Sequence, residues 1–126
     1  MAKYNSTLCI FQISFFCGMD QECDSFENHK ALQLAQRNVE RYDAVVGIVE
    51  KMQESLKVLE NYVPAFFKDA RTVYKNMMKE RRINENKSKP KTLKAVKNLV
   101  RRNFTLEMEF YQFCRQRLYK QYLSIK

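Results

Sequence analysis

Between Arg71 and Arg102 twelve lysines and arginines stand against two acids, Glu80 and Glu85, while the rest of the chain holds eleven basic and twelve acidic groups. The whole net charge of +9 on these 126 residues therefore sits in one stretch, which predicts an anionic partner engaged at one place. Arg81, Arg82, Lys87 and Lys89 crowd the segment 79–91, which has no apolar period and reads as a polar loop. Cations there are suited to hold phosphate, sulfate or carboxylate groups through charge-assisted hydrogen bonds. The bland alternative for any one of them is a solvated side chain. Nucleic acid is a weaker match, because no nucleic-acid motif accompanies the charge.

The other reactive side chains are few. Four cysteines occur, at 9, 17, 23 and 114. Cys17 and Cys23 enclose a short loop with Gly18 and Asp20, residues that allow a tight turn and a small ring. On spacing alone a disulfide and a pair of buried thiols both stay open. A zinc site would need two more ligands, and neither His29, the one histidine, nor Cys9 or Cys114 has metal-type spacing, so no metal is expected. Asn5, Asn86 and Asn103 each open a glycosylation sequon, a motif that matters only in the secretory pathway. No catalytic residue is expected in this chain. His29 falls near the start of a helix and reads as a surface or capping residue, and no Gly-rich or Ser/Thr-rich loop follows a strand to cradle a phosphate.

The elements that must position these groups are mostly helical. A helix from Ser25 or Asn28 to Arg41 is predicted to bury Leu32, Ala35, Val39 and Tyr42. The run Ala44-Val45-Val46-Gly47-Ile48-Val49 lacks polar alternation, which predicts a strand at 44–48 covered on both faces, with its sheet partners not all in this chain. A helix over Glu50–Tyr62 should turn Met52, Leu56, Leu59 and Val63 inward. Pro64 should open a third helix reaching Met78, with Phe66, Phe67, Ala70, Tyr74 and Met77 inward. Thr92 is placed as the cap of a short helix over Leu93, Val96 and Val100. Thr105 is placed as the cap of the last one, whose Leu106, Phe110, Cys114, Leu118 and Tyr122 recur every fourth residue. The first seventeen residues admit a weak signal peptide, with Lys3 before an apolar run, or an opening in mid-domain. No segment reaches the roughly 18–20 apolar residues of a membrane span.

In this order the blocks resemble the C-terminal half of the uronyl 2-sulfotransferase and heparan sulfate 2-O-sulfotransferase family, Pipe-like members included. Phe15-Phe16-Cys17-Gly18 with Cys23, Ala31 through Asn38-Val39, and Val46-Gly47-Ile48-Val49-Glu50 carry the likeness. It continues through Leu56, Leu59-Glu60, Pro64, Phe66-Phe67, and Glu107-Met108-Glu109-Phe110-Tyr111 with Phe113.

The resemblance implies an α/β chain: a mostly helical C-terminal fragment of a nucleotide-kinase-like (P-loop-like) sulfotransferase domain, with residues 1–126 forming a single partial domain. It implies transfer of sulfate from 3′-phosphoadenosine 5′-phosphosulfate to uronic acids of glycosaminoglycans such as heparan or dermatan sulfate, in the Golgi lumen. The family's membrane anchor and catalytic base would lie outside this chain, leaving it inactive alone, and a homo-oligomer is compatible with the family. The resemblance also implies a Cys17–Cys23 disulfide. Counted back from Pro90, it places Arg82 at a substrate-contacting arginine and Lys87 at a lysine near the cofactor, with Arg81 and Lys89 beside them. The competing expectation is a small secreted helical bundle whose basic stretch binds heparin-like polyanions. That bundle would need 44–49 inside a helix.

Overall fold

The computed structural model describes residues 11–80 and 88–125. It divides into two compact units, one formed by residues up to Ala44 with Leu99–Phe113, the other by Val45–Asn98 with Cys114–Lys126. The elements in chain order are α1 (Gln12–Cys17), a 3-10 turn (Gln21–Asp24), α2 (His29–Tyr42), a second 3-10 turn (Val49–Lys51), α3 (Met52–Tyr62), α4 (Pro64–Phe67), α5 (Ala70–Glu80), α6 (Lys94–Asn103) and α7 (Thr105–Ser124). The chain is mostly helical as expected, but no strand occurs among the described residues.

In the first unit the Asn28 side chain starts α2, accepting from the backbone N–H groups of Lys30 (2.9 Å) and Ala31 (3.4 Å). The stripe Ala31, Leu32, Ala35 and Val39 is buried. Tyr42 is not: it is 71% exposed at the helix end, with the Arg41 guanidinium over its ring at 5.7 Å. From α2, the Asn38 amide donates to the carbonyls of Phe16 and Cys17, both at 2.9 Å. Those carbonyls end α1 and would otherwise have no partner. Gly18 follows with φ +118°, a conformation that favours glycine, and the chain returns so that Cys17 and Cys23 form a disulfide across a Cα separation of 5.6 Å.

Two carboxylates close this unit by capping helices that are remote in sequence. Glu107, in the first turn of α7, accepts from the N–H groups of Gln12 (3.1 Å) and Ile13 (3.2 Å) at the start of α1. Glu27 accepts from the Thr105 hydroxyl (2.8 Å) and from the Leu106 N–H (3.4 Å) at the start of α7. The cap expected from Thr105 is thus supplied by Glu27, and the Thr105 hydroxyl acts as a donor. Glu27 sits at φ +52°, a conformation uncommon for a residue with a side chain, and both its oxygens are engaged. Phe11, Phe26 and Phe104 pack beside the caps with ring centroids 5.2–5.6 Å apart. Phe110 packs on Phe16 at 5.3 Å.

Burial holds the Glu107 carboxyl above its ordinary value of 4.5, the N–H groups of Ile13 and Gln12 oppose this, and the charge of Glu27 adds to the rise. A raised folded value makes the contribution to stability complete below 4.5 and lost as pH rises through the folded value. The protein should therefore gain stability relative to Glu107→Gln as pH falls from 7 to about 4.5. Glu60, in the second unit, should behave oppositely. The Arg71 backbone N–H, opposed by burial and helped by the Arg71 guanidinium, lowers its value, so its contribution is present above 4.5 and fades below it. Melting curves of the two Glu→Gln variants between pH 3 and 7 would check the opposite slopes, and parallel slopes would contradict this reading.

In the second unit the strand expected at 44–48 is corrected: residues 45–48 are irregular, neither helix nor strand, with an extended backbone at Ile48. The reason lies in Ser55, which is buried on α3. Its hydroxyl accepts from the Ile48 N–H at 2.8 Å and donates to the Ile48 carbonyl at 3.0 Å. The two backbone groups a ladder would pair are thus met by one side chain. Covering on both faces fails too, since Ile48 is buried but Ala44 and Gly47 are exposed. α3 correspondingly buries Ser55 and Val58, while Met52, Leu56, Leu59 and Val63 are half-buried.

The single helix expected from Pro64 to Met78 is broken. Asp69 takes φ +60°, which aspartate tolerates better than most residues. α5 restarts under the Glu60 carboxylate, which accepts from the Arg71 N–H (2.8 Å) and from its Nε (2.7 Å). Phe66, expected inside, is 85% exposed, and Met77 is exposed as well. Leu93 rather than Thr92 gives the first carbonyl of α6, accepting from Lys97 N–H at 3.2 Å. α7 keeps its expected row, with Leu106, Phe110, Cys114 and Leu118 buried. Tyr122 is half-buried under the Lys57 ammonium, 4.7 Å from its ring centroid.

Candidate anion-binding site

The charge excess falls on α5, the segment after it, and α6. On α5, Arg71, Lys75 and Lys79 recur every fourth residue and share a face. Arg71 is committed to Glu60, leaving Lys75 and Lys79 exposed on the approach to the loop. Arg81, Arg82 and Lys87 lie outside the described residues, as do Asn5, Asn86 and Cys9. Lys89 is described and exposed, followed by Pro90 and Lys91, also exposed. Cations so placed keep their water and hold an anion by a screened attraction that weakens as salt rises.

The remaining candidates resolve simply. His29 is the first residue of α2 and exposed, with the capping done by its neighbour Asn28. Asn103 is exposed at the end of α6, and the Thr105 of its sequon opens α7 with its hydroxyl on Glu27. Cys17 and Cys23 are buried and bridged, and Cys114 is buried on α7. Among the described residues no group of His, Cys, Asp and Glu is arranged to hold a metal ion.

Sulfuryl transfer needs backbone N–H groups around a phosphosulfate and a base at the accepting hydroxyl. The described residues do not fit the first need, since no strand leads into a helix among them. The residues that sequence reading missed are the nonlocal clamps Glu27, Glu107, Ser55 and Glu60. Glu107 was legible only as an acid in the first turn of the last helix, and not as a cap for α1.

No family model matches the chain. Over 117 residues, 90% of its length, the chain is 42% identical to the Uronyl 2-sulfotransferase homolog pip of Drosophila melanogaster. The chain belongs with the 2-O-sulfotransferases. It is 33% identical over 106 residues to Heparan sulfate 2-O-sulfotransferase 1 of Xenopus laevis, and 30% identical over 103 residues to that of Gallus gallus, with 81% of the chain covered in each case. The family read from its residues is borne out. The chain spans 23% of the length of the fly protein and 29% of each of the other two, which fits the expected resemblance to a part of these proteins.

Proposed function

We propose that this chain is a C-terminal, helical part of a 2-O-sulfotransferase domain of the P-loop-like class, and that it forms one edge of the cleft that holds the acidic polysaccharide. The 42% identity over 90% of the chain carries the reading. The local charge excess between Arg71 and Arg102 supports the place of the edge. The reaction moves a sulfuryl group from 3′-phosphoadenosine 5′-phosphosulfate to a uronic acid hydroxyl of a glycosaminoglycan, heparan or dermatan sulfate being the candidates. This chain supplies neither the phosphosulfate cradle nor a proton-accepting base, and it transfers no sulfate by itself. Arg82 acts on the substrate side and Lys87 on the cofactor side, with Arg81 and Lys89 beside them, holding charge in place. The Cys17–Cys23 bridge and the sequon at Asn103 suit an oxidising lumen, and the Golgi is the compartment proposed. The secreted-bundle alternative required a helix through 44–49, whereas 45–48 is not helical.

Binding to heparin tests the edge. Alanine at Arg81, Arg82, Lys87 and Lys89 should weaken binding about tenfold more than alanine at Lys51, Lys57, Lys120 and Lys126, although both sets remove four charges. Binding should fall steeply between 0.1 and 1 M salt, as the screening length shrinks from about 10 Å to about 3 Å. Equal losses from the two sets would show diffuse attraction and remove the loop from the site.

A further inference from the structure

α6 carries cations that lie outside the loop segment 79–91. Lys94, Lys97 and Arg101 are three and four residues apart, so they line one face of this single helix. Val96, Leu99 and Val100 lie on the opposite face, and all six side chains are exposed. α6 contains no acid, and none of its three face cations holds an ion pair among the described residues. A row of cations without an ion pair among the described residues, set opposite an apolar face, can attract a linear anion along the helix.

We infer that Lys94, Lys97 and Arg101 form a second strip for the acidic polysaccharide, separate in sequence from the loop residues and extending the grip along the chain of the substrate. The inference rests on the proposed sulfotransferase reading, which supplies the class of anion. A membrane surface fits less well, because α6 is ten residues long and has no aromatic anchor on its apolar face. The strip acts in positioning and takes no part in proton or sulfuryl transfer. Along a flexible polyanion, two separated cationic patches raise affinity by making the second engagement intramolecular.

The test uses the full chain, immobilised or titrated with heparin, and with vesicles of phosphatidylcholine and phosphatidylserine. Three variants are compared: K94A/K97A/R101A, the charge-matched K51A/R115A/K120A, and the loop variant with alanine at Arg81, Arg82, Lys87 and Lys89. Alanine favours helix, so α6 should persist, and circular dichroism checks it. The α6 variant is expected to bind heparin about tenfold more weakly, the matched control less than about twofold, with K94R/K97R retaining affinity. Loss in the loop variant without loss in the α6 variant overturns the strip and leaves the sulfotransferase reading standing. Absence of heparin binding by the unaltered chain overturns both. Binding to the vesicles but not to heparin overturns the strip in favour of a lipid surface.

Discussion

Phe110→Ala is expected to destabilise the protein by about 3–5 kcal/mol, read as a lowered urea midpoint with the slope unchanged. Phe110 is 1% exposed on α7, packed against Phe16 of α1 at 5.3 Å and Phe113 at 6.4 Å between centroids. Its truncation leaves a cavity that the surroundings cannot fill, because α1 is pinned at one end by Glu107 and at the other by the Asn38 amide. Phe110→Leu keeps much of the volume and should lose less than half as much. A loss below about 1 kcal/mol for Phe110→Ala would show that the first unit has no fixed core.

Removing the Cys17–Cys23 bridge by the double change to alanine is expected to cost about 2–3 kcal/mol. The ring it closes is short, with six residues of sequence separation, so the entropy it removes from the unfolded chain is at the lower end for disulfides. The bridge holds α1 to the turn before α2, where the Ser14 hydroxyl also donates to the Cys23 carbonyl at 2.7 Å. Urea unfolding of the double variant, beside the unaltered chain with and without reductant, would check the value. An unchanged midpoint together with free thiols by mass spectrometry would contradict the bridge and the lumenal compartment with it.

What could be read from the sequence followed from local physics. The four-residue row of α7 and the stripe of α2 were legible because a helix buries one face, and its apolar positions repeat whatever else the chain does. The start of α2 was left between Ser25 and Asn28, and the side-chain cap settles it at Asn28. The run at 44–49 was legible as non-helical, but its strand was not formed, because Ser55, seven residues beyond Ile48, takes the backbone groups a ladder would use. Asp69 gave no warning of a break, since neither Gly nor Pro marks it, and the break is held by Glu60 nine residues earlier in the chain. Glu27 reaches α7 across 79 residues, a pairing no period reveals. The candidate site was legible as charge alone: exposed cations leave no packing signature, so the sequence shows their number and not their arrangement.

The central claim is that this chain can serve as the C-terminal, polysaccharide-holding part of a 2-O-sulfotransferase while lacking the chemistry itself. The direct measurement replaces the matched segment of the Drosophila melanogaster relative with this chain and follows labelled sulfate onto glycosaminoglycans rich in uronic acid. The account predicts transfer by the chimera, none by the 126-residue chain alone, and a marked loss when Arg82 and Lys87 of the chimera become alanine. A folded, disulfide-bonded chimera without transfer, or measurable transfer by the isolated chain, would contradict it.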